Sequence, residues 1–445
     1  MSQVAGPTAR RLELLLARGQ HDGRLPSVVA GVVRDGALVW TCSRRALDGC
    51  AAGPQVQYRI GSITKTLVAV LVLQLRDEGR LDLNDPLERH LPGVAYGDRR
   101  LRDLLAHATG MHSEPPGPWW ERSPGVSFDE LAASLDDADA PFAAGETFHY
   151  SNAGFALLGE LVARHRGSDW WTQVQQRVLR PLGMARTSYL PEAPHASGWS
   201  VHHFANTLTA EPAHDAGAMA PAGQAWSTVE DLARYASFLL EGHDDVLARA
   251  TLQEMATPQS GARASALAAA HGLGFQLSRA GSGMLVGHTG SMPGFLAGLF
   301  VDPVRRTGAV VVANATVGLR PEAFCVELLE TLEECEGTEP PPWRPVVDLP
   351  VPVQEVLGVW HWGNTAHAFT WTGREVEVTR LATGVRVFAF VPQPDGTFLG
   401  TAGYHHGERL RVVRNDDGSV HHLVCETFVY TREPYDPSAP LPGRS

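Results

Sequence analysis

The sequence predicts an α+β protein with two domains, and three observations support this prediction. A chain of 445 residues is longer than one hydrophobic core usually serves. Up to about residue 335, helix-length periodic segments occur together with strand-length apolar runs. Residues 336–352, EGTEPPPWRPVVDLPVP, then contain six prolines and no hydrophobic periodicity, and short alternating strands follow. We therefore expect a first domain over 1–335, a Pro-rich linker over 336–352 and a second domain over 353–445.

The first domain is expected to contain a β-hairpin, a buried helix and a later group of strands. Residues 27–43, SVVAGVVRDGALVWTCS, place an Asp-Gly turn between two β-runs. A helix with almost no polar face begins near Ser62. Periodic segments predict helices at 150–165 and 227–242, and four apolar runs between 273 and 315 predict strands.

The second domain is expected to be all β. From residue 357 onward, short segments with alternating apolar residues are separated by turns, including Asp-Gly turns at 395 and 417. The last of these segments is the single run SVHHLVCETFVYTREPY, 419–435. This spacing predicts a small antiparallel barrel or sandwich of about eight strands.

The composition is that of an ordinary globular protein and excludes some partners. Hydrophobic residues make up 44% and charged residues 19% of the chain. A formal net charge of −12 disfavours nucleic acid as a partner. The N-terminus lacks the apolar segment of a secretion signal and no run reaches 18 apolar residues, so we expect a cytoplasmic protein without membrane contact. The cysteines are odd in number and share no metal-ligand spacing, which favours reduced thiols: Cys42, Cys50, Cys325, Cys335 and Cys425.

A serine and a lysine lie three positions apart at the predicted start of the buried helix. In RIGSITKTLVAVLVLQLRDEG, residues 59–79, Ser62 and Lys65 share one helix face. A seryl hydroxyl becomes a good nucleophile when a neighbouring base accepts its proton, and burial would lower the pKa of Lys65 so that its neutral amine can do so. The same spacing also fits a helix-capping serine beside a lysine that reaches for solvent. The pair alone leaves both interpretations open.

Two further stretches favour the catalytic interpretation. FHYSNAGFALLGELV lies where a loop meets a helix, and VGHTGSMPGF lies at the end of a strand. Their candidate residues are Tyr150, Ser151, Asn152, His288, Thr289, Gly290 and Ser291. With Ser62 and Lys65, in this order, they resemble the serine β-lactamase and penicillin-binding-protein superfamily, and specifically the group of class C β-lactamases, D-aminopeptidases and related esterases. Further similar blocks at 101–113, 178–189 and 220–239 extend the resemblance over about residues 10–335.

The resemblance implies a fold and a set of roles. The first domain would hold an antiparallel sheet flanked by helices together with an all-helical subdomain, and the β-rich tail would be a lipocalin-like barrel. Ser62 would be the acylated nucleophile, Lys65 would take up its proton, and Tyr150 would be the partner base or acid.

The same resemblance implies how substrate would be held. Asn152 would bind the substrate's acyl amide, and the strand end formed by Thr289, Gly290 and Ser291 would lie along the substrate. The backbone N–H groups of Ser62 and Ser291 would form the oxyanion hole. Gly290 would allow the substrate backbone to approach closely.

His288 departs from the pattern of the resemblance. β-Lactamases and most penicillin-binding proteins carry a lysine at this position, where it helps to hold a substrate carboxylate. A histidine can be neutral near pH 7 and can exchange protons with Tyr150. The departure disfavours β-lactam hydrolysis and favours aminopeptidase, esterase or acyl-transfer activity.

Three other residues are candidates with an ordinary structural alternative. Trp119 and Trp120, in the long loop 112–127, would bind an apolar substrate side chain or pack the loop itself. Arg432 would clamp a substrate carboxylate if the second domain covers the site, or would be a plain surface arginine. The 19 histidines include no HExxH-type pair, so we expect no metal and no cofactor.

Within this superfamily, the sequence favours a penicillin-binding-protein-type thioesterase that releases nonribosomal peptides by head-to-tail macrocyclisation. Such enzymes resemble this chain in their domain layout, and they take a peptidyl thioester from a peptide carrier protein. The alternative is a D-stereospecific aminopeptidase, amidase or carboxylesterase that acts on D-residue-containing substrates. A third reading, a ligand-binding sensor without catalysis, has no need for an activated serine.

Overall fold

The structure is a computed structural model. Its two main antiparallel sheets lie in different parts of the chain. It describes residues 4–46, 51–261, 268–281, 283–337, 342–434, 436 and 438. The chain divides into two units, Met1–Thr338 and Glu339–Ser445. Within the predicted linker, residues 342–350 form neither helix nor strand, and a helix begins at Val351.

The first unit combines helices with strands. Among the described residues, its α-helices are α1 (Gly6–Asp22), α2 (Ile63–Asp77), α3 (Leu101–Leu105), α4 (Phe128–Ser134), α5 (Asn152–Arg166), α6 (Trp170–Val174), α7 (Val229–Glu241), α8 (Arg249–Met255) and α9 (Pro321–Glu336). Its strands are β1 (Ser27–Arg34), β2 (Ala37–Arg45), β3 (Tyr58–Arg59), β4 (Trp199–Val201), β5 (Leu208–Ala210), β6 (Trp226–Ser227), β7 (Ala269–His271), β8 (Gln276–Ala280), β9 (Gly283–Met292), β10 (Phe295–Asp302) and β11 (Thr307–Ala313).

A seven-stranded antiparallel sheet forms the centre of this unit, in the order β2-β1-β11-β10-β9-β8-β7. The predicted hairpin is β1 and β2, and its Asp35-Gly36 turn has positive φ at both residues, as a two-residue turn between twisted strands requires. The four strands predicted between 273 and 315 are β8 to β11. Chain segments more than 200 residues apart therefore pair in one sheet, with β1 next to β11.

The sheet separates two hydrophobic cores, and β1 contributes to both. Val28, Ala30 and Val32 pack with α1 and α9, whereas Val29 and Val33 belong to the core formed with α2, α5 and α7. This alternation is the two-residue periodicity of a strand buried on both faces. The core formed with α2, α5 and α7 lies next to the candidate site residues, because these residues are on or beside α2, α5 and β9.

Side-chain caps fix the starts of two predicted helices. The Ser151 hydroxyl accepts a hydrogen bond from the Gly154 N–H at 3.1 Å at the start of α5. At the start of α7, the Thr228 hydroxyl accepts a hydrogen bond from the Asp231 N–H at 3.2 Å. These caps place the first residue of α5, Asn152, at a defined position beside α2.

The described part of the second unit contains a short α-helix, a 3-10 helix at Gly403–His405 and a nearly closed eight-stranded antiparallel barrel. The helix is α10 (Val351–Val356), and the strands are β12 (Gly358–Trp362), β13 (Thr365–Trp371), β14 (Val376–Arg380), β15 (Val385–Pro392), β16 (Phe398–Ala402), β17 (Arg409–Arg414), β18 (Val420–Cys425) and β19 (Phe428–Tyr430). Each strand pairs with the next along the chain, and His361 bridges to Thr431 between the first and last strands. The run 419–435, predicted as one segment, forms two strands because the chain turns at Glu426, where φ is +51°.

Two further predictions can be placed on the described part of the chain. Cys42, Cys325, Cys335 and Cys425 are free thiols there, whereas Cys50 lies outside the described residues. Within the same residues, no helix has both the length and the apolar character that a membrane span requires.

Candidate active site

The start of α2 presents Ser62 and Lys65 as the sequence predicts, but not as a helix cap. Ser62 occupies the N-cap position, yet its side chain makes no capping hydrogen bond. Its hydroxyl instead accepts a hydrogen bond from the Lys65 ammonium nitrogen at 3.0 Å. Lys65 is 0% exposed, so it does not reach for solvent. Ser62 is therefore not a helix-capping serine, and Lys65 is not a lysine that extends into solvent.

The environment of Lys65 lowers its basicity to the range that catalysis needs. Burial lowers the Lys65 pKa to about 7, against the opposing effects of the Glu114 and Glu121 carboxylates. Besides Ser62, its Nζ donates to Asn152 Oδ1 at 2.7 Å and to the Ala222 carbonyl at 2.6 Å. These three oxygens fix the amine beside the Ser62 hydroxyl, where its neutral form can accept the hydroxyl proton.

The composition of the chain carries a signal for Lys65 that the motif search missed. Of the 37 lysine and arginine residues, 36 are arginine, and Lys65 is the only lysine in the sequence. Arginine stays protonated in proteins, whereas a buried lysine can lose its proton near neutral pH. The chain thus has its one lysine at the position where a cation must be able to deprotonate.

Asn152 links the lysine to a carboxylate that the sequence analysis did not select. While Asn152 Oδ1 accepts from Lys65, its Nδ2 donates to Glu114 Oε1 at 2.6 Å. The second carboxylate oxygen of Glu114 accepts from the Trp120 indole N–H at 2.7 Å. Glu114 comes from the loop 112–127, 38 residues before Asn152, so only the folded chain brings the two together.

Tyr150 lies next to both catalytic candidates of α2. Burial raises the Tyr150 pKa, and a hydrogen-bond interaction with the Ser62 side chain opposes this increase. The Lys65 Nζ lies 4.9 Å from the centre of the Tyr150 ring, close enough for a cation–π contact when the amine is charged. The His107 ring stacks on Tyr150 with 4.1 Å between ring centres. Tyr150 is therefore a neutral phenol near Ser62, with its ring fixed by a second aromatic group.

The end of β9 lies against the loop that precedes Ser62. A Cβ atom added to Gly290 would lie 1.9 Å from the Ile60 carbonyl oxygen, and one added to Gly61 would lie 2.5 Å from the Ser291 nitrogen. Gly61 also has φ of +53°, which favours glycine. This close approach places the backbone nitrogen of Ser291 beside the turn that carries Ser62. The oxyanion hole formed by the N–H groups of Ser62 and Ser291 stays a prediction. The neighbouring Thr289 donates through its N–H and hydroxyl to Gln276 Oε1, both at 3.2 Å.

His288 is buried and neutral. Its Nδ1 lies 2.5 Å from the Thr289 carbonyl oxygen; because a carbonyl only accepts, Nδ1 carries the proton and donates it. Burial, with repulsion by Lys65, lowers the His288 pKa to about 4. Its ring centre is 6.1 Å from that of Tyr150, and no hydrogen bond joins the two side chains among the described residues. The predicted proton exchange between them stays a prediction.

The two tryptophans of the long loop have different surroundings. Trp120 is buried and holds Glu114, so it packs the loop against the site. Trp119 is 61% exposed, with the Arg122 guanidinium 4.5 Å from its ring centre. Trp119 is thus the one of the pair with surface free for a substrate side chain.

Arg432 lies in the second unit, where its guanidinium already has partners. It donates to the carbonyl oxygens of Glu355, Leu357 and Val359, and it stacks 3.7 Å from the Trp360 ring centre. These contacts tie the last strand of the barrel to α10 and β12. A role for Arg432 in substrate binding stays a prediction.

Among the described residues, two groups of side chains that the sequence did not predict to meet are close enough to hold a metal ion. They are His107 with His271 and His288, and His405 with Glu408 and Cys425; within each group the ligand atoms lie within 4.8 Å of one another. In the second group the atoms already bind one another: His405 contacts Glu408 Oε2 at 2.6 Å and the Tyr430 hydroxyl at 2.9 Å, and Cys425 donates to Glu408 at 3.6 Å. That group is a satisfied polar network inside the barrel.

Ser62, Lys65, Tyr150 and the end of β9 lie together, in the arrangement that a serine acyl-enzyme site would need. A nucleophilic hydroxyl, a buried amine as its base and a pair of converging N–H groups are the parts such a site needs. The beta-lactamase family matches residues 12–329, so the chain belongs to the beta-lactamase family of serine hydrolases. Residues 349–432 match a separate domain of unknown function, DUF7586.

Curated relatives cover the chain to different extents. "Beta-lactamase-like protein 2" of Dictyostelium discoideum is 26% identical over 277 residues, 56% of this chain. The chain spans about half of that protein, because the match covers 49% of its length. "Putative beta-lactamase-like 1" of Homo sapiens is 25% identical over 407 residues, 86% of this chain and 79% of its own length.

Three solved structures share the fold. The octameric penicillin-binding protein homologue from Pyrococcus abyssi has a TM-score of 0.65 and 21% identity, over 95% of this chain and 99% of its own. SurE, in a structure with D-Leu, has a TM-score of 0.59 and 25% sequence identity, over 96% of this chain and 100% of its own. A D-stereospecific amidohydrolase from Streptomyces sp. has a TM-score of 0.60 and 26% sequence identity, over 75% of this chain and 98% of its own.

Proposed function

We propose that this protein is a D-stereospecific amidase or aminopeptidase that forms an acyl-enzyme on Ser62 with a substrate carrying a free amine. The observation that carries the proposal is the Glu114 carboxylate, hydrogen bonded to Asn152 beside the nucleophile. β-Lactam substrates call for a cation that binds a carboxylate, whereas this site has a neutral histidine at 288 and an anion at 114. The charge of the site thus favours a cationic group on the substrate.

The position of Glu114 fits the binding of an ammonium group. Its two oxygens accept one hydrogen bond each, from Asn152 and from Trp120, and a carboxylate offers about four acceptor positions. Positions for further donors therefore remain. Asn152 is one hydrogen bond from Lys65, and Lys65 is one hydrogen bond from Ser62. A substrate held at Asn152 by its acyl group would bring an α-ammonium into reach of Glu114.

The reaction follows from the proton-holding groups. Neutral Lys65 accepts the Ser62 proton as Oγ attacks the substrate carbonyl carbon, and the resulting oxyanion binds the N–H groups of Ser62 and Ser291. The leaving amine takes a proton from Lys65, with Tyr150 as the neighbouring donor, and the acyl-enzyme forms. Water then attacks the ester carbonyl carbon and gives a proton to Lys65. Lys65 passes this proton to Ser62 Oγ as the ester C–O bond breaks, and the carboxylic acid is released.

The preference for D-residues rests on the comparisons. The Streptomyces protein, 26% identical, is described as a D-stereospecific amidohydrolase. SurE, 25% identical over nearly all of both chains, is described with D-Leu. D-Phenylalanine amide and short peptides with an N-terminal D-residue are therefore the first substrates to try.

A second candidate, macrocyclisation of a peptidyl thioester, has the same acyl-enzyme and a different acceptor. The observation in its favour is again Glu114, which would hold the peptide's own N-terminal amine near the ester carbonyl. The amine would attack in place of water, after losing its proton to the neutral amine of Lys65. A peptide carrier protein would be the donor in that case.

One experiment separates the two candidates. The purified protein and its Ser62→Ala variant are mixed with D- and L-phenylalanine amide and with a peptidyl thioester whose C-terminal residue is D. Intact-protein and product masses are then recorded. We expect Ser62-dependent D-phenylalanine and linear acid. A Ser62-dependent cyclic product from the thioester would support macrocyclisation instead, and equal turnover of both enantiomers would contradict D-specificity.

The role of Glu114 gives a prediction with a matched control. We expect Glu114→Gln to raise KM for D-phenylalanine amide about 10- to 100-fold, because a charged hydrogen bond contributes about 1.5–3 kcal/mol. N-acetylation of the substrate should remove this difference, since the ammonium charge is then absent. Glu121→Gln is the control, because Glu121 also acts on the Lys65 pKa but does not contact Asn152. Equal effects of the two variants would count against an ammonium site at Glu114.

A further inference from the structure

Three buried histidines from three separate segments meet behind Tyr150. His107 follows α3, His271 ends β7 and His288 lies in β9. They are between 1% and 6% exposed. The ring centres of His107 and His271 are 5.0 Å apart, and those of His271 and His288 are 5.8 Å apart. The three histidines thus form one compact group, and none of them takes part in the proton transfers proposed for the reaction.

Each of the three imidazoles has a buried nitrogen without a partner. The Nε2 atoms of His107, His271 and His288 have no hydrogen-bond partner among the described residues. A buried polar atom without a hydrogen bond costs about 1–3 kcal/mol, so three in one place call for a shared partner. One ring nitrogen from each residue lies within 4.8 Å of the other two.

The backbone fixes which of these nitrogens carry a proton. His107 Nδ1 accepts a hydrogen bond from the Ser151 N–H at 3.0 Å, so the proton of the neutral ring is on Nε2. His288 Nδ1 donates to the Thr289 carbonyl, so its Nε2 carries a lone pair. Burial lowers the pKa of His107 and of His271 well below the usual value, so both rings stay neutral. The group therefore offers an N–H at His107 and a lone pair at His288.

This donor and acceptor pattern fits water better than a metal ion. Zinc needs a lone pair from every imidazole, and the His107 Nε2 holds a proton instead. The shared partner must accept a hydrogen bond from His107 Nε2–H and donate one to His288 Nε2, and a water molecule can do both. A buried water typically has about three such partners.

We propose that His107, His271 and His288 together bind one water molecule, and that this makes His107 and His271 positioning residues for Tyr150. The water accepts from His107 Nε2–H, donates to His288 Nε2 and contacts His271. It holds the His107 ring, which in turn stacks at 4.1 Å on Tyr150. The water molecule and the three neutral imidazoles thus keep the Tyr150 phenol near Ser62.

A crystal structure at about 1.5 Å tests the site without any assay. Crystals grown without added metal and crystals soaked in ZnCl₂ are compared, with data collected above the zinc absorption edge. We expect the same peak in both, about 2.8 Å from three imidazole nitrogens and without anomalous signal. An anomalous zinc peak there, a direct hydrogen bond between two of the rings, or no peak would each overturn the proposal.

Two variants of His107 separate its two nitrogens. In His107→Asn, the amide oxygen can replace Nδ1 as acceptor for Ser151, and asparagine tolerates the φ of +55° at this position. In His107→Gln, the amide nitrogen can replace the inward N–H, but Ser151 loses its acceptor. We expect the Asn variant to keep its Tm and lose about 10-fold in kcat, and the Gln variant to lose Tm and keep more of its kcat.

Two variants of His271 provide a test that does not depend on correct folding of the His107 variants. We expect His271→Gln, which supplies a polar atom, to retain more kcat than His271→Leu, which packs without one. The assay measures Ser62-dependent release of p-nitroaniline from p-nitroacetanilide, because its leaving amine needs a proton. This substrate has no free amine and no stereocentre, so a wrong substrate proposal would not affect the result. Wild-type kcat in both His107→Asn and His271→Leu would overturn the positioning role.

Discussion

Gly290→Ala should lower kcat at least about 100-fold while leaving the protein folded. The new methyl carbon would lie 1.9 Å from the Ile60 carbonyl oxygen, so β9 and the segment before Ser62 must separate. The N–H groups of Ser62 and Ser291 would then no longer converge on one oxyanion. Loss of a single oxyanion donor typically costs about 10²–10³ in kcat. The loss is measured as the rate of acyl-enzyme formation by mass spectrometry, with circular dichroism to verify folding.

Gly283→Ala is the matched control on the same strand. A Cβ at Gly283 would meet its nearest atoms at 3.5 Å, an ordinary van der Waals contact. Gly283 is the first residue of β9, whereas Ser291 lies near the other end of the strand. We expect near wild-type kcat from this variant. If Gly290→Ala kept more than a tenth of wild-type activity, the assignment of the oxyanion hole to Ser62 and Ser291 would be wrong.

The titration of Lys65 should be visible directly, because no other lysine contributes. Lysine-selective ¹³C labelling gives one side-chain signal, and we expect its chemical shift to titrate with a pKa of about 7. Since the neutral amine is the base, kcat/KM should rise with pH and level off above the same pKa. A lysine signal that titrated near 10 would show that Lys65 stays charged at neutral pH and cannot accept the Ser62 proton.

The same shift should appear in the stability of the protein. The unfolded lysine takes up its proton as pH falls through about 10.5, whereas the folded lysine does so only near 7. The free energy of unfolding should therefore increase between these values as pH rises, by about 2 kcal/mol from pH 7 to pH 9. Lys65→Met should lack this increase and all activity. Identical pH slopes for wild type and variant in chemical denaturation would contradict a lowered Lys65 pKa.

Motifs on single elements could be predicted from the sequence, whereas contacts between elements could not. Ser62 with Lys65 and Tyr150 with Asn152 lie at helix starts that hydrophobic periodicity locates. Glu114 meets Asn152 only because an irregular loop folds back over α5, and a proline-rich loop has no periodicity to reveal its path. The lysine count was an available signal, because a chain that uses arginine elsewhere has a chemical reason for one lysine.

The histidine group shows the same limit more strongly. His107, His271 and His288 are far apart along the chain and share no spacing, so their meeting depends on how α3, β7 and β9 are brought together. In the barrel, strand alternation predicted the architecture, but not the division of 419–435 into β18 and β19. That division depends on Glu426, whose backbone adopts a left-handed conformation. A glutamate side chain does not favour this conformation, so the sequence does not predict it.

The barrel's pairing order also bears on how its chain can be rearranged. Every strand from β12 to β19 pairs with its sequence neighbour, and the bridge between His361 and Thr431 brings the first and last strands together. Its contacts are therefore local in sequence, which favours rapid folding. Because its two ends meet, joining them by a short linker and opening the chain at an exposed turn, such as Asp417-Gly418, should preserve the strand order. The barrel is thus a natural scaffold for circular permutation.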